Sequence, residues 1–205
     1  MSEVLVWVDC EMTGLDLTRD ALVEVAVLVT DSELTILDEQ GLDLVLTAPQ
    51  ETLDGMEQVV RDMHTQSGLL TEIATATTTV EEAQQQVLDY VRRFAPEPRK
   101  APLCGNSVAT DRGFLARDMP EFDAWLHYRI VDVSSIKELC RRWYPRVYFS
   151  APAKNGGHRA LADISESIRE LRYYRSTVFV PGPGPDTPTA RAAAEAVSGT
   201  SPASG

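Results

Sequence analysis

Cysteine is scarce in this sequence, and positive charge is outnumbered. The 205 residues include three cysteines, Cys10, Cys104 and Cys140. Their odd number and the absence of metal-site spacing argue against a disulfide framework and read as reduced thiols of a cytoplasmic protein. Long apolar runs are missing as well. The longest near the N-terminus, at 4–8 and 25–29, have five residues each, and Met-Ser-Glu-Val opens without a basic stretch. Neither a signal peptide nor a membrane span is expected. Nineteen Lys and Arg face 31 Asp and Glu, for a net charge of −12, and basic residues cluster only in pairs such as Arg92-Arg93 and Arg141-Arg142. Proteins that grip long nucleic acids draw much of their affinity from neutralised phosphates. If the ligand here is a nucleic acid, few phosphates should be contacted.

Residues 181–205 hold five of the twelve prolines, four of the twelve glycines and no aromatic residue. Such a segment buries too little apolar surface to offset its ordering entropy, and is expected to be a disordered tail with a transient Ala-rich helix at 189–197. It carries a net −1, so the acidity (−11) belongs to residues 1–180, a length suited to one domain.

That body reads as strands first: 4–10, 21–31 and 34–46, the last two joined by a hairpin-like link. Short helices broken near Gly55 and Gly68 fill 51–76, and 79–96 is a helix with a Thr cap and a Pro stop. A strand at 101–105 leads to a helix near 107–118. Another at 128–133 leads to a helix beginning with the capping box Ser135…Glu138. Residues 158–175 form the last helix. A three-stranded meander followed by αβαβα predicts an α/β fold: a mixed five-stranded sheet with helices on its faces.

Within "VWVDCEMTGLD", Asp9 and Glu11 follow the apolar run Val4–Val8 and, two residues apart, share a sheet face. Asp111 lies three residues after Val108 and four before Leu115, on its helix's apolar stripe, and Asp163 falls near the stripe's edge in the last helix. His158 sits at that helix's entrance, after the glycines of "KNGGH". Each has an ordinary reading taken alone: Asp9 as a turn residue, Asp111 as partner of Arg112 or Arg117, His158 as a surface or capping histidine. Four acids on one strand and two helices nevertheless need a shared counter-charge. Two divalent cations would supply it, and oxygen-only donors point to Mg²⁺ or Mn²⁺.

The segments "VDCEMTGLD", "GNSVATDRGFLARDMP" and "HRALADISESIRELRYYR" resemble the three motifs of the DEDDh 3′→5′ exonucleases. With "MHTQSGL", "PLCGNS" and "HYRIVDVSSIKELCRRWYP" added, residues 4 to 178 resemble the bacterial oligoribonuclease family. The resemblance implies an RNase H-like sheet of order 3-2-1-4-5, a homodimer, and cation-dependent hydrolysis of very short RNAs to mononucleotides. It implies Asp9, Glu11 and Asp163 as ligands of one metal, with Asp9 bridging to a second that Asp111 serves mostly through water, and His158 as general base. It further implies Leu15 as a wedge between bases, His64 as a pocket residue, and Ser107, Arg129 and Ser134 as a cap around a 5′ phosphate. Tyr128 would reach in from the partner subunit. Strand alternation points Tyr128 and Arg129 to opposite faces, which fits that division. Dinucleotides, including pGpG, are the expected substrates. Many members carry Trp where this chain has Val59. The alternatives are a DNA-trimming exonuclease of the same superfamily and a metal-bound adaptor that holds nucleotides without cutting them.

Overall fold

A computed structural model describes residues 4–153, 157 and 159–198. Three strands come first, β1 (Leu5–Met12), β2 (Leu22–Thr30) and β3 (Leu42–Val45). Helices α1 (Gln50–Asp54), α2 (Gln58–Gln66), α3 (Leu69–Ile73) and α4 (Val80–Arg92) follow. Next are β4 (Pro102–Gly105), α5 (Ala109–Asp118), α6 (Pro120–Trp125), β5 (His127–Asp132), α7 (Val133–Trp143), α8 (Pro145–Phe149), α9 (Ala160–Thr177) and α10 (Thr187–Ser198). The strands form one mixed sheet ordered β3-β2-β1-β4-β5, as expected. β1 runs antiparallel to β2 and parallel to β4.

Because side chains alternate along a strand, β1 serves two cores. Val6, Val8 and Cys10 pack with Val25, Val27 and Val29 beneath α4 and α5. Trp7 joins Ala26 and Leu28 on the other face, against Val133 and Cys140 of α7 and Ile164, Ile168 and Tyr174 of α9. Asp9 and Glu11 share Trp7's parity, so they face the helix that carries Asp163. All three cysteines are buried free thiols.

Several local expectations change. β1 continues to Met12, because Cys10 pairs with Val25 and Met12 with Leu22, so Glu11, expected just beyond the strand, lies inside it with Asp9. The third strand shrinks from 34–46 to 42–45. The chain turns at Leu34 (φ 70°) and Gly41 (φ 62°), leaving Ile36 as an isolated bridge to Thr30. α7 begins at Val133: Asp132 accepts the Ser134 N–H and caps the helix, while Glu138 pairs with Arg141 and Arg142, so no Ser135 capping box forms. The expected Thr cap of α4 is a full capping box, Thr79 with Glu82. α10 spans more than the Ala-rich stretch at 189–197 and has no buried residue.

The largest correction concerns β5. Pro102 pairs with His127 and the next residue, Leu103, with Ile130, so Tyr128 and Arg129 form a bulge. The carbonyls of His127 and Tyr128 both accept from Arg112 Nη1 (3.2 and 3.0 Å), whereas successive carbonyls of a regular strand point apart. The Arg129 guanidinium lies 5.4 Å from the Tyr128 ring centroid. Strand alternation therefore does not separate these two side chains.

Candidate functional site

At the C-terminal end of β1, Asp9, Glu11 and Asp163 each offer a carboxylate oxygen, all within 4.8 Å of one another. Asp111 closes the cluster from α5. β4 pairs with β1 only as far as Trp7, leaving that edge of β1 open beyond it. Asp111 Oδ1 accepts the Cys10 N–H at 2.9 Å, in the place a longer β4 would have filled. Gly105 makes this approach feasible, since a Cβ there would sit 2.9 Å from the Val8 carbonyl oxygen. The four carboxylates line one pocket of about 440 Å³, together with Leu15, Asn106 and Ser107.

Packing acids this closely perturbs them. Burial, reinforced by Asp111, Glu11 and Asp163, pushes Asp9 up to about 9. Burial and then Glu24 push Glu11 to about 8, and burial brings Asp111 to about 6. At neutral pH the bare cluster therefore retains protons. A cation would reverse the balance by favouring the ionised forms, and the donors are hard oxygens without a thiolate among them. The residues fit a divalent metal.

Two residues here were not anticipated from sequence. Glu24 is fully buried and sits directly across from Glu11 on β2. Its carboxylate accepts from Arg159 Nε at 2.9 Å and from the Ala160 N–H at 3.2 Å. α9 has no local side-chain cap, so Glu24 caps it from the sheet. Arg159 also grips Glu72 through both terminal nitrogens (2.7 and 2.9 Å), tying the start of α9 to α3. A glutamate inside the apolar run "ALVEVAVLVT" was the available signal.

The remaining candidates spread outward. Leu15 is 75% exposed at the pocket rim. Its loop is folded around Asp20, which accepts from Thr13 Oγ1 and the Asp16 N–H, and a Cβ on Gly14 would lie 2.3 Å from the Asp20 carboxylate. Ser107 and Ser134 meet at 3.0 Å between hydroxyls, and both their N–H groups donate to Asp132 Oδ1. Ser107 holds φ 55°, a left-handed conformation that costs a non-glycine residue about 1 kcal/mol or more and is fixed here by those bonds. Arg129 and Tyr128 are exposed on the β5 bulge. His64 is fully buried behind the cluster instead of open to the pocket: Nε2 donates to the Met12 carbonyl (2.9 Å) and Nδ1 lies 3.9 Å from Glu11. Val59 is exposed on α2. His158 lies outside the described residues.

A family model described as an exonuclease matches residues 6–171. The oligoribonuclease of Streptomyces coelicolor is 66% identical over 194 residues, covering 95% of this chain and 96% of that protein. The oligoribonuclease of a Mycobacterium species is 61% identical over 187 residues, 91% of this chain and 86% of that one. Among solved structures, zinc-bound E. coli exonuclease I with single-stranded DNA superposes with a TM-score of 0.68 over 87% of this chain, at 13% identity. Exonuclease I from Methylocaldum szegediense superposes with a TM-score of 0.63 over 85% of this chain, at 19% identity. The matched region is 41% of either exonuclease I chain, and at such identities the likeness concerns the fold alone.

Proposed function

Since this chain belongs to the exonuclease family, as a 3′→5′ exoribonuclease of short RNA, we propose that its preferred substrates are 5′-phosphorylated dinucleotides, pGpG among them. The observation that carries this reading is a single pocket of about 440 Å³ holding both the carboxylate cluster and Ser107. Acidity elsewhere supports it, because a long polyanion is repelled by a chain of net charge −12.

Two divalent cations, Mg²⁺ or Mn²⁺, held by Asp9, Glu11, Asp111 and Asp163, would lower the pKa of the attacking water and neutralise charge on the departing 3′ oxygen. The protein's own part is positional. The Cys10 N–H fixes Asp111, Glu24 and Arg159 set the start of α9 and with it Asp163, and His64 backs Glu11. His158 accepts the proton of the attacking water, a role suited to an imidazole that titrates near neutrality. Ser107, Arg129 and Ser134 hold the 5′ phosphate, and Leu15 wedges against a base.

The active form is a cytoplasmic homodimer in which Tyr128 serves the neighbouring site. Supporting this, β5 is the sheet edge and carries Tyr128 at 74% exposure, with Trp143 (64%) and Phe149 (81%) exposed on the helices that follow. Three buried reduced thiols support the compartment, and no helix among the described residues is long and apolar enough to cross a membrane. Residues 1–180 form the exonuclease domain and 181–205 an appended tail outside its core, consistent with α10 burying nothing.

The test is a length series of 5′-phosphorylated RNAs, two to ten nucleotides long, incubated with Mg²⁺. Dinucleotides should give the highest kcat/KM. A rate that rises with length would overturn the preference.

A further inference from the structure

Asn106 connects the two ends of the pocket. Its Nδ2 lies 3.2 Å from Glu170 Oε2 and 2.8 Å from Ser167 Oγ. A carboxylate only accepts, so the amide nitrogen belongs on this side and Oδ1 faces Ser134 Oγ at 3.0 Å. Ser134 has one hydroxyl proton, and Asn106 Oδ1, which cannot donate, takes it. The 3.0 Å bond between the serine hydroxyls is then donated by Ser107. On the far side the Ser167 hydroxyl donates to the Asp163 carbonyl at 2.8 Å, so Ser167 accepts from Asn106. The bonds run in one direction, Ser107 to Ser134 to Asn106 to Ser167 to Asp163. Hydrogen bonds aligned in this way polarise and stiffen one another. A second connection runs in parallel: Glu170 of α9 accepts from Asn106 and pairs with Lys137 of α7 at 3.2 Å.

We propose that Asn106 is a positioning residue that sets the spacing between the serine pair and the carboxylate cluster, and thereby selects dinucleotides with a 5′ phosphate. This rests on the reading of Ser107, Arg129 and Ser134 as a phosphate cap. Ser107 is the movable member, because a phosphate oxygen can replace Ser134 as the acceptor of its proton. Ser134, Asn106 and Ser167 stay committed to one another. They hold the cap at one distance from Asp163, so a terminal phosphate seated there brings the scissile bond to the carboxylates.

The experiment compares a 5′-phosphorylated with a 5′-hydroxyl RNA dinucleotide, in Mg²⁺, for the wild type, Asn106→Ala and Ser167→Ala. Asn106→Ala should lower the ratio of kcat/KM values by about tenfold, the worth of a buried hydrogen bond or two, with the loss mainly in kcat for the phosphorylated substrate. Ser167→Ala, which keeps the asparagine, should act in the same direction and more weakly. It carries the test alone if thermal melting shows Asn106→Ala to be unfolded. Equal losses on both substrates, with the ratio kept, would overturn the inference and leave the phosphate cap standing. A wild type indifferent to the phosphate would overturn both.

Discussion

The floor and the rim of the pocket are built on opposite principles. The floor concentrates charge: burial and neighbouring acids push Asp9 and Glu11 to about 9 and 8, burial brings Asp111 to about 6, and the fully buried Glu24 stands directly across from Glu11. Its supports come from distant parts of the chain, including a main-chain N–H and an arginine shared between two glutamates. The rim is more open and carries little charge. It is made of two serine hydroxyls held by hydrogen bonds worth about 1 kcal/mol each and a leucine on a loop, with the cation of Arg129 on the nearby β5 bulge. A strained, electrostatically unfavourable floor gives affinity for whatever neutralises it and serves every substrate alike. A rim of weak, directional contacts distinguishes one substrate end from another.

If that division holds, floor variants lose all substrates together and rim variants lose them selectively. Asp9→Ala should cost about 10³-fold or more in kcat on every RNA length, since several kcal/mol of charge stabilisation is removed. Near-normal hydrolysis by this variant would end the two-cation reading. His158→Ala should cost about 10²–10⁴-fold in kcat while isothermal titration shows Mn²⁺ binding retained. In the wild type the acidic limb of the pH–rate profile should report an ionisation within a unit or so of about 6.5. Tyr128→Ala should cost about 10–100-fold on dinucleotides, the value of an aromatic stacking surface, and less on longer RNAs. The β5 bulge leaves open which subunit's site Tyr128 enters, so mixing Tyr128→Ala with Asp9→Ala decides it. Exchanged heterodimers, verified by mass, should recover one working site. Exchange without recovery would assign Tyr128 to its own subunit.

The effect that leaves catalysis aside is a shift in melting temperature with pH. Asp9 and Glu11 titrate near 4 when the chain is unfolded and at about 9 and 8 when it is folded. Between those limits the folded, cation-free protein binds more protons than the unfolded chain, so its stability falls as pH rises. The melting temperature without divalent cations should therefore drop from pH 5 to pH 8. Mg²⁺ should flatten or reverse the slope, and Asp9→Asn should weaken it. A flat profile without cations would contradict the repulsion ascribed to the floor.

The sequence was most legible where one physical requirement dominated. An apolar run carrying two same-face acids located β1, and apolar periodicity located α4 and α9, whereas the sheet order followed from the family resemblance. It was least legible where a neighbour decides. Glu24 lies in a strand buried at every position, and only the register reveals its pairing with Glu11 and its capping of α9. The bulge at Tyr128 and Arg129 depends on β4 and Arg112, so local alternation misread it. Ser135 and Glu138 match a capping pattern, yet Asp132 stands one residue ahead of the helix and takes the role. Asn106 is inconspicuous within its motif, because its side chain is bonded to three partners remote in the chain, Ser134, Ser167 and Glu170.

The cap that Glu24 places on α9 also has a consequence for synthesis. The Ala160 N–H bonds to a carboxylate 136 residues earlier, and Asp163 is the last acid of the cluster to be translated. A nascent chain that has not yet released α9 contains Asp9, Glu11 and Asp111 but neither the fourth carboxylate nor the contact that orients it. On the proposed two-cation reading, such a chain should be inert toward the RNA around the ribosome. Competence should then arrive in one step, when α9 docks.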